Sequence, residues 1–418
     1  MFRSALENLM TRSTLRALRH RYFAIEEIAG FFSGAGVWVY RVGLQVFTWE
    51  LTHSGVWLGI IALSEAAPGI FIAPIAGTLA DRYDRLVLAK VVQFAIMIVT
   101  AVLAAFTLMG LVDIWVLLGF ALLHGMAAGF WQPIRLAMVP NLVPREDLSA
   151  GIALHSALFN LSRFIGPASA APILAIWGTG AAFAFNAITY LIFLVGLFFI
   201  KLVNIDQKAQ AGQTMLFYLK QGFFYITSHP ALKFLFLNAI FAAMFMRAYM
   251  ELLPGLSETM FKFDAKEGVA FLISAMGLGA LFGSLLIGNF TTIKLMLRCY
   301  FVCAISGLCF VTLFLSTGAF WFGAVCVIFL SISTVGMNIA GQFMVQSTVR
   351  GELRGRVMSF WGLINRSGPA LGALLLGWIA SYWGFRWPML SAVAVTTMVC
   401  CYVTSKRAQI EKELTEVQ

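Results

Sequence analysis

Apolar stretches long enough to cross a bilayer recur along this chain with short polar breaks between them, and that rhythm leaves few possible folds. A spanning helix needs roughly 20 apolar residues. Such stretches lie near residues 24–49, 55–79, 86–110, 114–139, 149–176, 179–201, 231–253, 267–289, 294–316, 318–346, 353–381 and 385–404. With 60% hydrophobic and 11% charged residues among 418, and a mean hydropathy of +0.86, a water-soluble domain could not cover its own apolar surface. The expectation is an all-α membrane protein of 12 transmembrane helices.

The formal charge of +10 would suggest nucleic acid in a soluble protein. Its distribution says otherwise. Of the 29 Lys and Arg, 21 fall in the two tails and in alternate loops, while the opposite loops hold Lys262, Lys266 and Arg386. This positive-inside pattern puts both termini in the cytoplasm and requires an even number of spans. Residues 1–20 have no apolar core of adequate length for a cleavable signal, so none is expected. Phe2, Leu6, Leu9 and Met10 recur at helical spacing, which suits an amphipathic helix on the inner surface. The six cysteines (Cys299, Cys303, Cys309, Cys326, Cys400, Cys401) fall in spans of the second half and read as buried, inert thiols.

One long polar interruption, 202–230, divides the chain into a six-helix bundle over 1–201 and a second over 231–418. Within it, residues 215–227 read as a short surface helix. An internal repeat supports the division. Arg163-Phe-Ile-Gly166-Pro167 in the fifth span matches Arg366-Ser-Gly368-Pro369 in the eleventh, the glycines standing 202 residues apart. Gly283-Ser-Leu-Leu-Ile-Gly288, followed by Lys294 and Arg298, echoes a loop of the first half described next.

That loop reads Gly77-Thr-Leu-Ala-Asp81-Arg82-Tyr-Asp84-Arg85, a glycine and then mixed charges squeezed between two apolar spans. It resembles the G-x-L-a-D-R-x-x-R/K loop between helices 2 and 3 of the major facilitator superfamily. Gly166-Pro167 is similar to the helix-5 motif of the exporters in that superfamily, with small residues, Ala168-Ser169-Ala170-Ala171, where the full motif has glycines. Residues 44–55 and 130–148 look like the bacterial exporter branch that includes siderophore exporters and macrolide efflux pumps.

The resemblance implies the major facilitator fold, two pseudo-symmetric six-helix bundles with a site between them, and residence in a bacterial inner membrane. It also implies a latch. Asp81 would sit at a helix N-terminus of the other half, where a carboxylate meets the positive dipole end. Gly77 would permit close approach, Arg82 and Arg85 would pair with acidic groups, and Arg135 would support Asp81. An ordinary basic loop that fixes topology is the plainer reading.

Five arginines fall within spans: Arg41, Arg135, Arg163, Arg247 and Arg366. Each would cost about 2.5–3.5 kcal/mol at the centre of a lipid-facing helix, so each should face a cavity or a partner. Acidic residues are fewer: Glu65 in mid-span, Glu251 one turn after Arg247, and Glu26, Glu27 and Glu50 near span ends. An excess of arginine suits an anionic cargo, because guanidinium grips carboxylate or phosphate in a two-pronged fork. Arg41 and Arg366 read as cavity residues, although Arg41 could instead pair with Glu65. Arg163 either bonds carbonyls freed at the Gly-Pro kink or binds cargo. Arg247 and Glu251 read either as a simple pair or as part of the site. Glu65 is the best protonatable group by depth. His124 and His155 read first as packing residues and second as proton carriers, and Trp38, Trp131 and Trp361 either pack or line a cavity.

No phosphate-binding loop, zinc-protease motif or nucleophile elbow occurs, so no enzymatic chemistry is expected. No cofactor and no metal are expected, and the proton gradient is the expected energy source. The expected partners are a small anionic or amphiphilic molecule and the bilayer, with no nucleic acid, and the expected state is a monomer. The expected function is export by alternating access with proton antiport. The rivals are proton-coupled uptake of an anionic nutrient and a non-transporting receptor or scaffold of the same fold.

Overall fold

The computed structural model describes residues 14–138, 141–202, 215–287, 292–349 and 351–416, and every regular element among them is helical. A 3-10 turn, Thr14–Arg19, leads into α1 (Arg21–Thr52), α2 (Gly55–Ala66), α3 (Pro68–Arg82), α4 (Arg85–Leu108), α5 (Ile114–Met138) and α6 (Leu148–Phe198). After the linker come α7 (Met215–Ser228), α8 (Pro230–Phe241), α9 (Leu253–Thr259), α10 (Ala265–Ile287), α11 (Ile293–Ser316), α12 (Phe320–Thr348), α13 (Gly351–Trp383), α14 (Arg386–Ser405) and α15 (Arg407–Glu416). Between α8 and α9 the chain passes through a π turn, Ala242–Met246, and a 3-10 turn, Ala248–Glu251. The amphipathic tail anticipated at Phe2–Met10 and Gly288 of the loop echo lie outside the described residues, whereas the short helix anticipated in the linker is α7.

Among the described residues, nine helical segments are long and apolar enough to cross a membrane. One of them, 150–198, is two helices in series. They join at Gly178, whose φ of 77° is left-handed, a conformation that favours glycine. The single-residue junction falls where the sequence separates its fifth and sixth spans. Helices α1 and α13, of 32 and 33 residues, are long enough as well but carry more polar residues. Large apolar side chains stand exposed along these segments, among them Phe71, Trp177, Phe198, Trp378 and Trp383. Exposure on that scale suits lipid rather than water.

The chain divides into two compact units. The first holds Met1–Leu44 and Ala67–Ala211; the second holds Gln45–Ala66 and Gly212–Gln418. The last turns of α1 and all of α2 therefore group with the second unit.

In the first unit, small residues of α1 seat against both arms of α6. A Cβ on Gly34 would lie 2.9 Å from Ser162 Oγ, and one on Gly36 would lie 2.0 Å from Thr189 Oγ1. Such small-residue seams let helices approach where lipid supplies no hydrophobic drive. Phe23, Ile134, Met138, Leu142, Phe193 and Leu197 fill the core beneath. Asp84 caps α4, accepting from the Leu86 and Val87 amides at 2.8 and 3.1 Å.

The entry to this unit is clamped by charge. Asp147 accepts from His20 Nε2 at 2.7 Å and pairs with Arg16 Nε at 2.9 Å. The His20 bond, then the Arg16 charge, hold the Asp147 carboxyl below the usual carboxylate range. A depressed folded-state value stabilises the clamp at neutral pH, and that contribution is lost as pH falls through it. Hydrogen exchange in the Thr14–Arg19 turn should accelerate on acidification in the wild type. In Asp147→Asn it should be fast at every pH, and a pH response that survives the substitution would assign the effect elsewhere.

In the second unit, α11 and α12 run together through a Ser306–Ser333 hydroxyl pair at 2.9 Å and stacked Phe310 and Phe329 rings. Gly279 of α10 lies against α12, where a Cβ would come 2.2 Å from the Ile328 carbonyl oxygen. Helix α2 packs on α13 just as closely, with a Cβ on Gly59 falling 2.4 Å from Leu374 Cα. All six cysteines belong to this unit; Cys309 and Cys401 are exposed, Cys303, Cys326 and Cys400 buried.

Candidate functional site

Each unit buries a set of polar side chains in an apolar helix bundle. In the first unit the set begins with Glu26 and Glu27, consecutive residues on α1 that are 0% and 1% exposed. Arg135 of α5 reaches Glu26 with Nε 2.8 Å from Oε1. Gly30, one turn on, makes room for it, since a Cβ there would meet Arg135 Nη2 at 2.5 Å. Phe193 covers the guanidinium at 5.7 Å. Arg135, anticipated as the support of Asp81, is thus bonded to the first helix. His155 of α6 places Nδ1 2.9 Å from Glu27 Oε1. His124, by contrast, is enclosed by aromatics, stacked on Tyr40 and 3.2 Å from the Tyr190 hydroxyl.

Farther along α1, Trp38 receives two guanidinium groups. Arg41, from its own helix, lies 5.3 Å from the ring centre, and Arg163, from α6, lies 5.4 Å from it. Gly166 explains the close meeting of these helices. A Cβ there would lie 2.6 Å from both the Ala35 carbonyl oxygen and Trp38 Cβ. Pro167 follows inside the helix.

The second unit repeats this packing. Gly368 of α13 approaches the π turn, where a Cβ would fall 2.6 Å from Ala243 Cβ, and Pro369 again follows inside the helix. Just beyond that turn, Arg247 donates from Nη1 to Asn365 Oδ1 at 2.9 Å. Asn365 stands 202 residues after Arg163, the spacing of the two glycines, so it is Asn365 that occupies the Arg163 position. Arg247, Asn338, Trp361 and Asn365 line a small cavity. Trp361 Nε1 donates to Asn338 Oδ1 at 3.2 Å, while Asn365 Nδ2 donates to the Trp361 carbonyl at 2.9 Å. A π turn widens a helix locally and frees backbone groups, and such turns concentrate at functional positions.

Other anticipated residues are placed as follows. Glu251 accepts from Gln45 Nε2 at 3.0 Å. Glu50 pairs with Lys266 at 2.9 Å, and Trp49 Nε1 donates to Glu258. Glu65 is half-buried on α2, and Arg366 is exposed on α13. Arg41 and Glu65 fall in different units. In the latch loop, Arg85 donates to the Ala80 carbonyl at 3.2 Å and to Asn141 Oδ1 at 2.7 Å, and Arg82 is exposed. A Cβ on Gly77 would meet nothing within 4 Å among the described residues. The Asp81 side chain lies outside the described residues.

These buried polar sets can hold charge inside lipid but include no nucleophile with its base. Residues 12–416 match the protein family described as transmembrane secretion effector. The staphyloferrin A transporter of Staphylococcus aureus is 26% identical over 90% of this chain and 96% of its own length. The macrolide efflux protein A of Streptococcus pyogenes is 23% identical over 87% and 89%. A crystal structure of a POT family transporter in complex with a thioalcohol-conjugated peptide superposes with a TM-score of 0.73 at 14% identity, covering 93% of this chain and 96% of that one.

Proposed function

We propose a cargo and an energy source for this chain, which belongs to the transmembrane secretion effector family of the major facilitator superfamily: it exports a small organic anion or amphiphile by alternating access, in exchange for protons. The observation that carries the cargo assignment is the meeting of Arg41 and Arg163 on Trp38, with Gly166 bringing α6 against α1. Two guanidinium groups beside an indole offer a carboxylate its fork and an amphiphile its apolar face. The relatives named for staphyloferrin A and for macrolide efflux agree with a cargo of that kind and with the outward direction.

The same reading has twelve crossings, with 150–198 supplying two and α1 and α13 completing the set. It has cytoplasmic termini, a bacterial inner-membrane location, a monomer, and Asp81 as the latch.

The test is uptake into inverted vesicles of citrate, as a carboxylate, and erythromycin, as an amphiphile. Loss of one charge-assisted bond, about 1.5–3 kcal/mol, should weaken citrate binding by about one to two decades in Arg163→Gln and Arg41→Gln. Lysine at either position should recover only part. Asp81→Asn should slow turnover while leaving binding intact. Equal handling of both probes by wild type and Arg163→Gln would end the anion assignment.

A further inference from the structure

The buried cluster of the first unit carries an odd number of charges. Arg135 balances Glu26 across 2.8 Å, while the direct partner of Glu27 is an imidazole, His155 Nδ1, across 2.9 Å. An oxygen or nitrogen of Glu26, Glu27 and His155 lies within 4.8 Å of each of the others. Glu26 Oε2 is enclosed and has no hydrogen-bond partner among the described residues, so a further anionic oxygen is shut in with the pair. Among the described residues, the charged and titratable groups facing the pair are Glu26 from α1 and Arg135 from α5; the second arm of α6 contributes Phe193.

The 2.9 Å gap must contain a proton, because a bare nitrogen lone pair and a carboxylate oxygen would repel each other. The least protonated arrangement is therefore a neutral imidazole donating Nδ1–H to the Glu27 carboxylate. The cluster is then left with one uncompensated negative charge away from water, an expensive state. One more proton, on His155 Nε2, produces an imidazolium–carboxylate pair and a neutral cluster. His155 is the most exposed member, at 25%, against 1% for Glu27, 0% for Glu26 and 16% for Arg135. The proton can enter there without the carboxylates becoming wet.

We propose that the Glu27–His155 pair is the proton-carrying site of the exchange, taking up one proton on His155 Nε2 and giving it back once per cycle. No bond other than N–H forms or breaks, and Glu26–Arg135 stays ionised as the fixed neighbour. The inference rests on the proton-coupled reading above, and its test separates the two.

Infrared difference spectra of the purified full-length protein, titrated in EDTA so that no bound cation stands in for the proton, should contain an imidazole protonation step. Glu27→Gln should remove or displace that step. His155→Asn should abolish it, and a second histidine variant, His124→Asn, should leave it in place. Survival of the step in His155→Asn, or its survival unmoved in Glu27→Gln, overturns the proposal. If Glu27→Gln does not fold, Glu27→Asp, which keeps the charge but lengthens the gap, should move the step, and an unmoved step overturns the proposal too.

In proteoliposomes, erythromycin accumulation driven by a pH gradient should be lost in His155→Asn while gradient-free counterflow persists. Accumulation retained in His155→Asn but gradient-dependent in wild type would place the coupling proton elsewhere. Wild-type accumulation indifferent to the gradient would end the coupling reading itself, even with the infrared step present.

Discussion

Glu26→Ala should lower the stability of the detergent-solubilised protein by about 3–5 kcal/mol, because it strands the Arg135 guanidinium in the bundle without its carboxylate. Arg135 approaches through the space left by Gly30 and lies beneath Phe193, so it cannot swing to water without unpacking α1 from α5. Removing both charges should cost much less than removing one. Replacing a buried pair by apolar groups of similar volume is often close to neutral, so Glu26→Leu with Arg135→Met should recover most of the loss. Thermal unfolding of the two single variants and the double variant decides the matter. A double variant as unstable as the sum of the singles would mean that the charges act independently.

Why this pair escaped the sequence while the spans did not is a matter of what hydropathy can see. Length and apolarity locate helices, and they separated the two arms of α6 that meet at Gly178, but they read 55–79 as one span where the chain forms α2, Gly55–Ala66, and α3, Pro68–Arg82. They placed the first span at 24, which leaves Glu26 and Glu27 near a wet end; the helix in fact begins at Arg21 and both carboxylates lie buried within it. Depth along a helix is legible, but the direction a side chain faces across the bundle is not. For that reason the bond from Arg135 to Glu26 was not legible in the sequence. Gly30 was the available signal, a glycine one turn from two carboxylates.

The repeat was legible only to within one residue. Matching arginine to arginine pairs Arg163 with Arg366, yet the glycines fix the offset at 202 and pair Arg163 with Asn365. The positive charge that meets Asn365 comes instead from Arg247, beyond a π turn that no local propensity announces. The grouping of Gln45–Ala66 with the second unit was equally invisible, since it depends on Gly55 and Gly59 meeting the backbone of α13.

Gly372→Val should prevent the second unit from folding. A Cβ at this position would lie 1.6 Å from the Met244 carbonyl oxygen and 2.6 Å from its carbon, both backbone atoms of the π turn. A rigid main chain cannot rotate aside as a side chain can, so either α13 moves away or the turn breaks. Overpacking of this severity should exceed about 3 kcal/mol. Gly362→Val on the same helix is the matched control. It changes helix propensity in the same way, but a Cβ there meets nothing within 4 Å. The expected result is a monodisperse size-exclusion peak for Gly362→Val and aggregated or absent protein for Gly372→Val. Equal yields and unfolding temperatures would remove the close contact as the reason for glycine.

The confinement of every cysteine to the second unit gives the wild-type protein a built-in spectroscopic asymmetry. Thiol-directed dyes, spin labels and mass tags will report on that unit alone, and among its cysteines the exposed Cys309 and Cys401 will react ahead of the buried Cys303, Cys326 and Cys400. One cysteine added to the first unit, in a chain with Cys299→Ser, Cys309→Ser and Cys401→Ser, would then place a single probe on that unit with only buried thiols behind it. Site-specific labelling of the first unit could begin from three removed thiols rather than six.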